Sequence, residues 1–558
     1  VPSSPVPYTR AAPCPTHGMS GDRPRVLDSG ADCWHHFRSP MRVPPMTSLS
    51  SFCPLGRFRS SSFARRAWAL LVALTLAVGS VGTAQAQTGP FGADQNLAWW
   101  FKGDQAVFEN GNNCTTAAGD GDSAECWQNQ SGSADAIQTN SGGPARGGKI
   151  PTYRTGDLKG VLEFKQGDRG PSRFYDVGSG FSGGNTIVIV SKITNTSVDG
   201  QNALNIGGGT RVVKYRPGGS GLSVSNGAGS ISTSAITTDE YNIISSVSGT
   251  DGLDLVVNGG QKATGPGSSD NANSGVLGSD GGNFIGRIGE VIFYDEASNT
   301  QRRIAENYLS EKYGIALDDH DYYIFGSEHP SDIAGIGRTS TSDRLRQNSS
   351  DILRLNDSGG LSADSAFVLF GHDGESTSFE TSERPNGKTT AQKIGREWRF
   401  DVTGATNEME TISEVSLAEA DVNGLGGRPN DHNDYALFVD KDGDFTSGAT
   451  HYDLELSGGR YRASDVTIPD GAYVTIASVK RTITFVRDFS SDFENRNNGD
   501  PYQPNLSVEV NYSNATDLSV DYGVSAGENS PTDGIDYNTA GSTFTLTAGT
   551  TTCDFNNS

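Results

Sequence analysis

Short runs of alternating apolar and polar residues fill most of the chain: Leu97-Ala-Trp-Trp-Phe-Lys-Gly-Asp104, Gly160-Val-Leu-Glu-Phe-Lys165, Asn185-Thr-Ile-Val-Ile-Val-Ser-Lys192, Leu253-Asp-Leu-Val-Val-Asn-Gly259 and Asn283–Asp295. Clusters of Gly, Asn, Asp and Ser separate them, the pattern of strands and turns in a sandwich. One stretch carries a helical period instead. From Ser298 to Tyr313, Ile304, Tyr308, Leu309 and Lys312 recur at helical spacing, and Gly314 follows as a stop.

The same strand pattern continues through Asp332–Arg338, Ser365–His372, Arg396–Val402 and Tyr435–Phe445, and then through Ile483–Val486, Leu506–Tyr512, Leu518–Tyr522 and Gly534–Gly549. At 558 residues the chain exceeds what one hydrophobic core supports. The expected architecture is all-β: consecutive β-sandwiches over 87–318, 319–480 and 481–558, with one helix near 298–313. The 71 glycines and 34% hydrophobic content suit this turn-rich class and argue against a bundle or a coiled coil.

The N-terminal stretch is of another kind. Arg57, Arg59, Arg65 and Arg66 precede the apolar run Ala67–Val78, and Thr83-Ala-Gln-Ala86 ends it with small residues where a signal peptidase reads. Residues 64–86 therefore form a secretory signal, cut after Ala86. The run is too short for a permanent transmembrane helix. Residues 1–63 are read as a disordered leader or an over-extended reading frame, with the true start near Met46.

Export changes the meaning of the charge. Residues 1–86 hold nine of the 43 basic and three of the 66 acidic residues, so the mature chain carries a net −29. This argues against nucleic acid and anionic membrane surfaces as partners. It leaves divalent-cation binding or a solubilising surface. Only Cys114, Cys126 and Cys553 remain in the mature chain, and an oxidising compartment favours a disulfide closing the small Cys114–Cys126 loop over a zinc site.

The order of a tryptophan-rich strand, Trp127-x-x-Gln-Ser-Gly132, extended strands, and Gly289-Glu-Val-Ile-Phe-Tyr-Asp295 running into Ala305-Glu-Asn-Tyr-Leu-Ser-Glu-Lys-Tyr-Gly-Ile315 resembles the laminin-G-like, concanavalin A-like jelly rolls of bacterial surface proteins. That resemblance implies a two-sheet sandwich but no ligand, since such domains bind glycans, bind proteins or hydrolyse polysaccharides. The region after it is similar to an uncharacterised all-β domain that follows such jelly rolls in secreted proteins. Gly534-Ile-Asp-Tyr537 followed by Thr543-Phe-Thr-Leu-Thr-Ala-Gly-Thr-Thr551 resembles the opening part of a Calx-beta domain, an immunoglobulin-like sandwich that in some members binds calcium. What the resemblance implies is a calcium set of Glu494 and Asp536, with Asp533 as a neighbour; the family would continue past Ser558 with an acidic loop.

Asp440-Lys-Asp-Gly-Asp444 is a second candidate calcium loop. Counted from Asp440 as an EF-hand, Asp440, Asp442 and Asp444 fit positions 1, 3 and 5, but Phe445 replaces the required glycine and His451 the bidentate glutamate. A tight hairpin with Asp442-Gly443 at its turn explains the stretch better, and calcium could at most brace it. Catalysis has little support. There is no His-Glu-x-x-His, no Walker loop and no glucanase Glu-x-Asp-x-x-Glu. Gly180-Phe-Ser182-Gly-Gly184 matches a hydrolase elbow only in spelling. Trp99, Trp100 and Trp127 could stack sugars, but tryptophans near a sandwich core usually pack. The expectation is a non-catalytic surface or extracellular protein for adhesion or matrix and glycan binding, with an extracellular glycan or protein as partner. A carbohydrate-active enzyme or its accessory module, and a structural spacer, stand as alternatives.

Overall fold

A computed structural model describes residues 96–487, apart from short segments of the first domain (110–113, 133–134, 138–149, 168–169, 172–173, 176–180, 199, 208–209, 217–220, 235, 269, 273–274 and 279–283), and the strands at 506–510, 518–522, 542–546 and 552–555. The chain divides into two compact units, 1–83 and 84–558, and all described residues belong to the second. The fold is all-β, and the described residues include two α-helices, Asn299–Tyr313 (α1) and Glu419–Gly424 (α2).

Two large antiparallel sheets build the first domain among the described residues. One runs in the order Gly260–Gly265, Gly252–Val257, Asn242–Gly249, Asn185–Ile193, Gly286–Tyr294, Val161–Phe164, Thr152–Arg154, with Leu97–Lys102 also paired to Gly286–Tyr294. The other is centred on Gln201–Ile206, Arg211–Tyr215 and Leu222–Asn226 and ends at Val107–Phe108. Side chains point alternately to opposite faces of a strand, so Ile187, Ile189, Val291 and Phe293 enter the core between the sheets with Trp99, Trp127, Leu204 and Val224.

The intervening residues explain why these strands read as unbroken apolar runs. Val188, Val190, Ile292, Tyr294 and Trp100 leave the opposite face of the same sheet and pack on Ile304, Ala305, Tyr308 and Leu309 of α1. The helix is in turn covered by Phe367, Leu369, Ile333 and Tyr323 of the second domain. A helix lies between two sandwiches, and both cover it. Strands buried on both faces lose polar alternation.

The second domain is also a sandwich. Its larger sheet runs Arg344–Leu345, Ser331–Arg338, Ala366–His372, Trp398–Thr403, Tyr473–Val479, Asp434–Asp440, Thr450–Asp453, with Ala391–Lys393 paired to Tyr473–Val479. The five-stranded sheet includes Leu353–Asn356, Met409–Ala418 and Arg460–Pro469. Val368, Phe370, Trp398, Phe400, Ile412, Val415 and Ile468 fill the space between. Beyond it, Ile483–Arg487, Leu506–Val510 and Thr552–Phe555 form a three-stranded sheet, and Leu518–Tyr522 pairs with Ser542–Leu546.

Candidate functional site

The junction of the two sandwiches is held by charge as well as by apolar contact. Glu290, on the helix-facing side of its strand, is fully buried. Its Oε1 accepts from Trp100 Nε1 at 2.6 Å, and its Oε2 accepts from Lys312 Nζ at 2.6 Å and from the Tyr313 hydroxyl at 2.9 Å. Lys312 Nζ also donates to Asp104 Oδ1 at 2.8 Å and to the Tyr308 hydroxyl at 3.2 Å. Burial pulls the Lys312 pKa down, but Glu290 and Asp104 outweigh it and leave the ammonium above the usual lysine value. Lys102, buried beside it with its ammonium 4.6 Å from the Trp100 ring centre, is pushed down by burial and by Lys312. Gly103 and Gly160 permit the close backbone approach here, since a Cβ on Gly103 would lie 2.3 Å from Gly160 O and 2.4 Å from Gly289 O.

The start of α1 is fastened from the other domain. Ser298, the N-cap, accepts from Gln301 N at 3.1 Å, and Gly314 closes the helix in the left-handed conformation at φ 65°. Asp343, from the turn after Ser331–Arg338, accepts from Ser298 Oγ at 2.6 Å and from Asn299 N at 2.8 Å. Thr339 Oγ1 steadies it, donating to Asp343 Oδ2 at 2.7 Å. A carboxylate at the positive end of a helix is favourable, and this one joins two domains.

Above this joint opens a cleft of about 880 Å³. Its walls come from the Thr250–Asp254 turn and Gln261 of the first domain, from Asp295–Arg303 at the start of α1, and from Asp319, His320 and Thr339–Asp343. Arg302 forms the floor, with Nη1 on both Glu306 oxygens at 2.9 and 2.7 Å and Nε on Asn299 Oδ1 at 3.1 Å. Half-buried Asp254 accepts from Gln261 Nε2 at 3.3 Å, and burial raises its pKa above the usual carboxylate value. The lining holds carboxylates, amides, hydroxyls, guanidinium groups and the His320 imidazole beside Val247, Val256 and Ala297, and no Trp, Tyr or Phe among the described residues.

Among the described residues, none of those expected from the sequence to bind metal or sugar lines this cleft. Trp99, Trp100 and Trp127 are 1%, 2% and 0% exposed, so they pack in the core, as their position near a sandwich suggested, and form no sugar-stacking platform. Cys114 and Cys126 are joined as a disulfide with Cα atoms 5.7 Å apart. Ser182 lies in the short strand Phe181–Gly183, paired with Asp270–Ala272, and not at a strand-to-helix turn.

Asp440, Asp442 and Asp444 occupy a wider loop than the tight hairpin expected. Val439 pairs with Thr450, and Gly443 has positive φ whereas Asp442 does not. Asp440 Oδ1 accepts from Asp442 N and Gly443 N at 2.8 and 2.9 Å, Asp442 Oδ1 from Asp444 N at 3.0 Å, and Asp444 Oδ1 from Thr446 N at 3.0 Å. Each carboxylate thus folds back onto the following backbone, a run of Asx turns that the alternating aspartates encode. Burial raises the Asp440 pKa. Glu494, Asp533 and Asp536 lie outside the described residues.

Two clusters of metal-ligating groups occur among the described residues. One is Cys114, Cys126 and Asp135, whose sulfurs are tied in the disulfide; the other is His329, Asp373 and Glu397 at the end of the second domain. The second was not visible in the sequence, because its members are far apart in the chain and none sits in a motif. Among the described residues no helix is long and apolar enough to cross a membrane.

No curated protein matches the chain. Among solved structures it is similar to domain 4 of AbnA, a GH43 extracellular arabinanase from Geobacillus stearothermophilus, in complex with arabinotriose (14% identity, 36% of this chain and 93% of that one, TM-score 0.24). It is also similar to the Trypanosoma rangeli sialidase (13% identity, 40% of this chain and 34% of that one, TM-score 0.26). A third likeness is to a structure of botulinum neurotoxin type C, whose cell entry depends on interaction with two ganglioside molecules (9% identity, 69% of this chain and 93% of that one, TM-score 0.26). Scores of this size assign no function. Residues 301–472, from the first turn of α1 to the start of the last strand of the second sandwich, match the family described as Domain of unknown function (DUF8202).

Proposed function

We propose that this chain is an exported, non-catalytic binding protein of the cell surface or extracellular space. Its ligand is a neutral, hydroxyl-rich glycan held in the cleft between the two sandwiches. One observation carries this: an open cleft of about 880 Å³ lined by Asp251, Asp254, Gln261, Asn299 and Arg302 and fixed in shape by the Asp343 cap. Carboxylates and amides accept and donate to sugar hydroxyls in the same plane, and the acidic balance of the chain repels anionic glycans. The apolar run before Ala86 supports export.

A glycan array probed with the chain and with an Asp254→Ala, Gln261→Ala double variant tests this proposal. Neutral oligosaccharides should be retained by the parent and lost by the variant. Equal retention by both would place the ligand elsewhere, and no retention by either would favour a spacer. Release of reducing ends from a bound polysaccharide would overturn the non-catalytic assignment.

Calcium enters the same proposal as a brace on the Asp440–Asp444 loop and on the loops bearing Glu494, Asp533 and Asp536. Melting temperature should then rise with calcium by mass action, and no shift at millimolar calcium would remove the ion from the proposal.

A further inference from the structure

We propose that His329, Asp373 and Glu397 bind a divalent transition-metal ion of the zinc type, at the end of the second sandwich and away from the cleft. A ring nitrogen of His329 and one carboxylate oxygen from each of Asp373 and Glu397 all lie within 4.8 Å of one another. The three residues come from separate segments that the sheet brings together. Asp373 directly follows the strand Ala366–His372, and Glu397 directly precedes its neighbour Trp398–Thr403. The pairing of His372 with Trp398 sets the two carboxylates side by side, and Asp373 N donates to Glu397 O at 3.2 Å.

The histidine points to a ligand. His329 is 5% exposed, and its Nδ1 is buried without a hydrogen-bond partner. An imidazole nitrogen left unpaired in the interior is costly unless something accepts its lone pair or its proton. The residue is held rigidly: its N–H donates to Phe325 O at 2.9 Å, its carbonyl accepts from the Tyr323 hydroxyl at 2.9 Å, and its ring stands edge-on to Tyr473 at 5.6 Å. Gly371 makes room for it, since a Cβ there would lie 2.8 Å from His329 O.

The donor set selects the ion. One imidazole and two carboxylates suit zinc and its neighbours, which accept mixed nitrogen and oxygen ligands and need only three protein groups when water takes the fourth place. Calcium needs six to eight oxygens and gains little from imidazole. Lys393, 3% exposed on its side chain, forms ion pairs with Glu383 and with Glu397 Oε1 and so holds the Glu397 carboxylate in place. Asp373 Oδ1 accepts from Glu375 N at 3.0 Å, which orients its carboxylate as an outer partner orients a metal ligand.

The test is equilibrium dialysis of the tag-free full chain against Zn²⁺, with metal counted per chain, for the parent, His329→Gln and Asp373→Asn. Each variant should lose one zinc equivalent or bind it at least roughly tenfold more weakly, the loss that removal of even an outer partner brings. Visible absorption of bound Co²⁺ should fall in the same variants, and excess Ca²⁺ should not displace the ion. Asp373 lies at the rim, so Asp373→Asn reads the site without disturbing the packing of the His329 ring. Unchanged zinc stoichiometry and affinity in both variants, or displacement by Ca²⁺ at parity, would overturn the proposal. Either result leaves the cleft proposal untouched, because no cleft residue takes part.

Discussion

At the scale of single residues, the strongest consequences come from buried charge. Lys312 neutralises the fully buried Glu290 and also pairs with the partly exposed Asp104. Lys312→Met should destabilise the protein by about 3–5 kcal/mol, because it strands a buried carboxylate, and Glu290→Gln in the same chain should recover much of that loss. Urea unfolding of the two single variants and the double variant measures this coupling. Asp401 gives a pH signature. It is 6% exposed, and burial raises its pKa to about 6, with Asp470 adding to the rise. The folded state holds this proton more tightly than the unfolded chain, so its contribution improves stability as pH falls from about 6 toward 4. Above pH 6 the ionised group costs up to ~3 kcal/mol. Asp401→Asn should therefore raise the melting temperature at pH 7.5 and leave it unchanged near pH 4. Glu163 acts oppositely: burial opposes its ionisation, but Lys165, Arg154 and Arg287 hold it at about 2, so the stability it adds is lost as pH falls from about 4.5 through 2. The pairwise comparison of parent and variant removes that background.

At the scale of elements, α1 was the most legible piece of the chain. Ser298 and Gly314 mark its ends in the sequence, and both cap it in the structure. Its partners were not legible. Glu290 and Lys312 stand in the quoted motif, but Asp104 lies 208 residues from Lys312, and no local pattern links them. Asp343 sits in a serine-rich turn that reads as loop, yet it fastens the first turn of α1 from the second domain. Asp343→Ala should cost about 1–2 kcal/mol. Asp343→Asn, which keeps an acceptor but removes the charge, should cost less. Thermal unfolding of the two variants separates the cap from the dipole contribution. The Asp440–Asp444 loop shows the limit of motif spacing. Alternating aspartates suit an ion loop and a run of Asx turns equally well, and only the direction of each carboxylate distinguishes the two.

At the scale of the whole molecule, two sandwiches share one helix and one apolar layer, so they should melt in a single transition. Calorimetry that resolves two transitions over residues 96–480 would contradict the shared layer. The sandwich class was readable because strand alternation and turn clusters are local. The cleft was not, since its walls come from Thr250–Asp254, the start of α1 and Thr339–Asp343, and only the packed fold brings them together. Nor was the His329, Asp373 and Glu397 cluster, which depends on the pairing of two strands. The most direct test of the ligand cleft is hydrogen–deuterium exchange of the chain with and without a retained oligosaccharide. Protection confined to Thr250–Asp254, Asp295–Arg303 and Thr339–Asp343 is the expected result. Protection elsewhere, or none at saturating ligand, would contradict the cleft as the binding site.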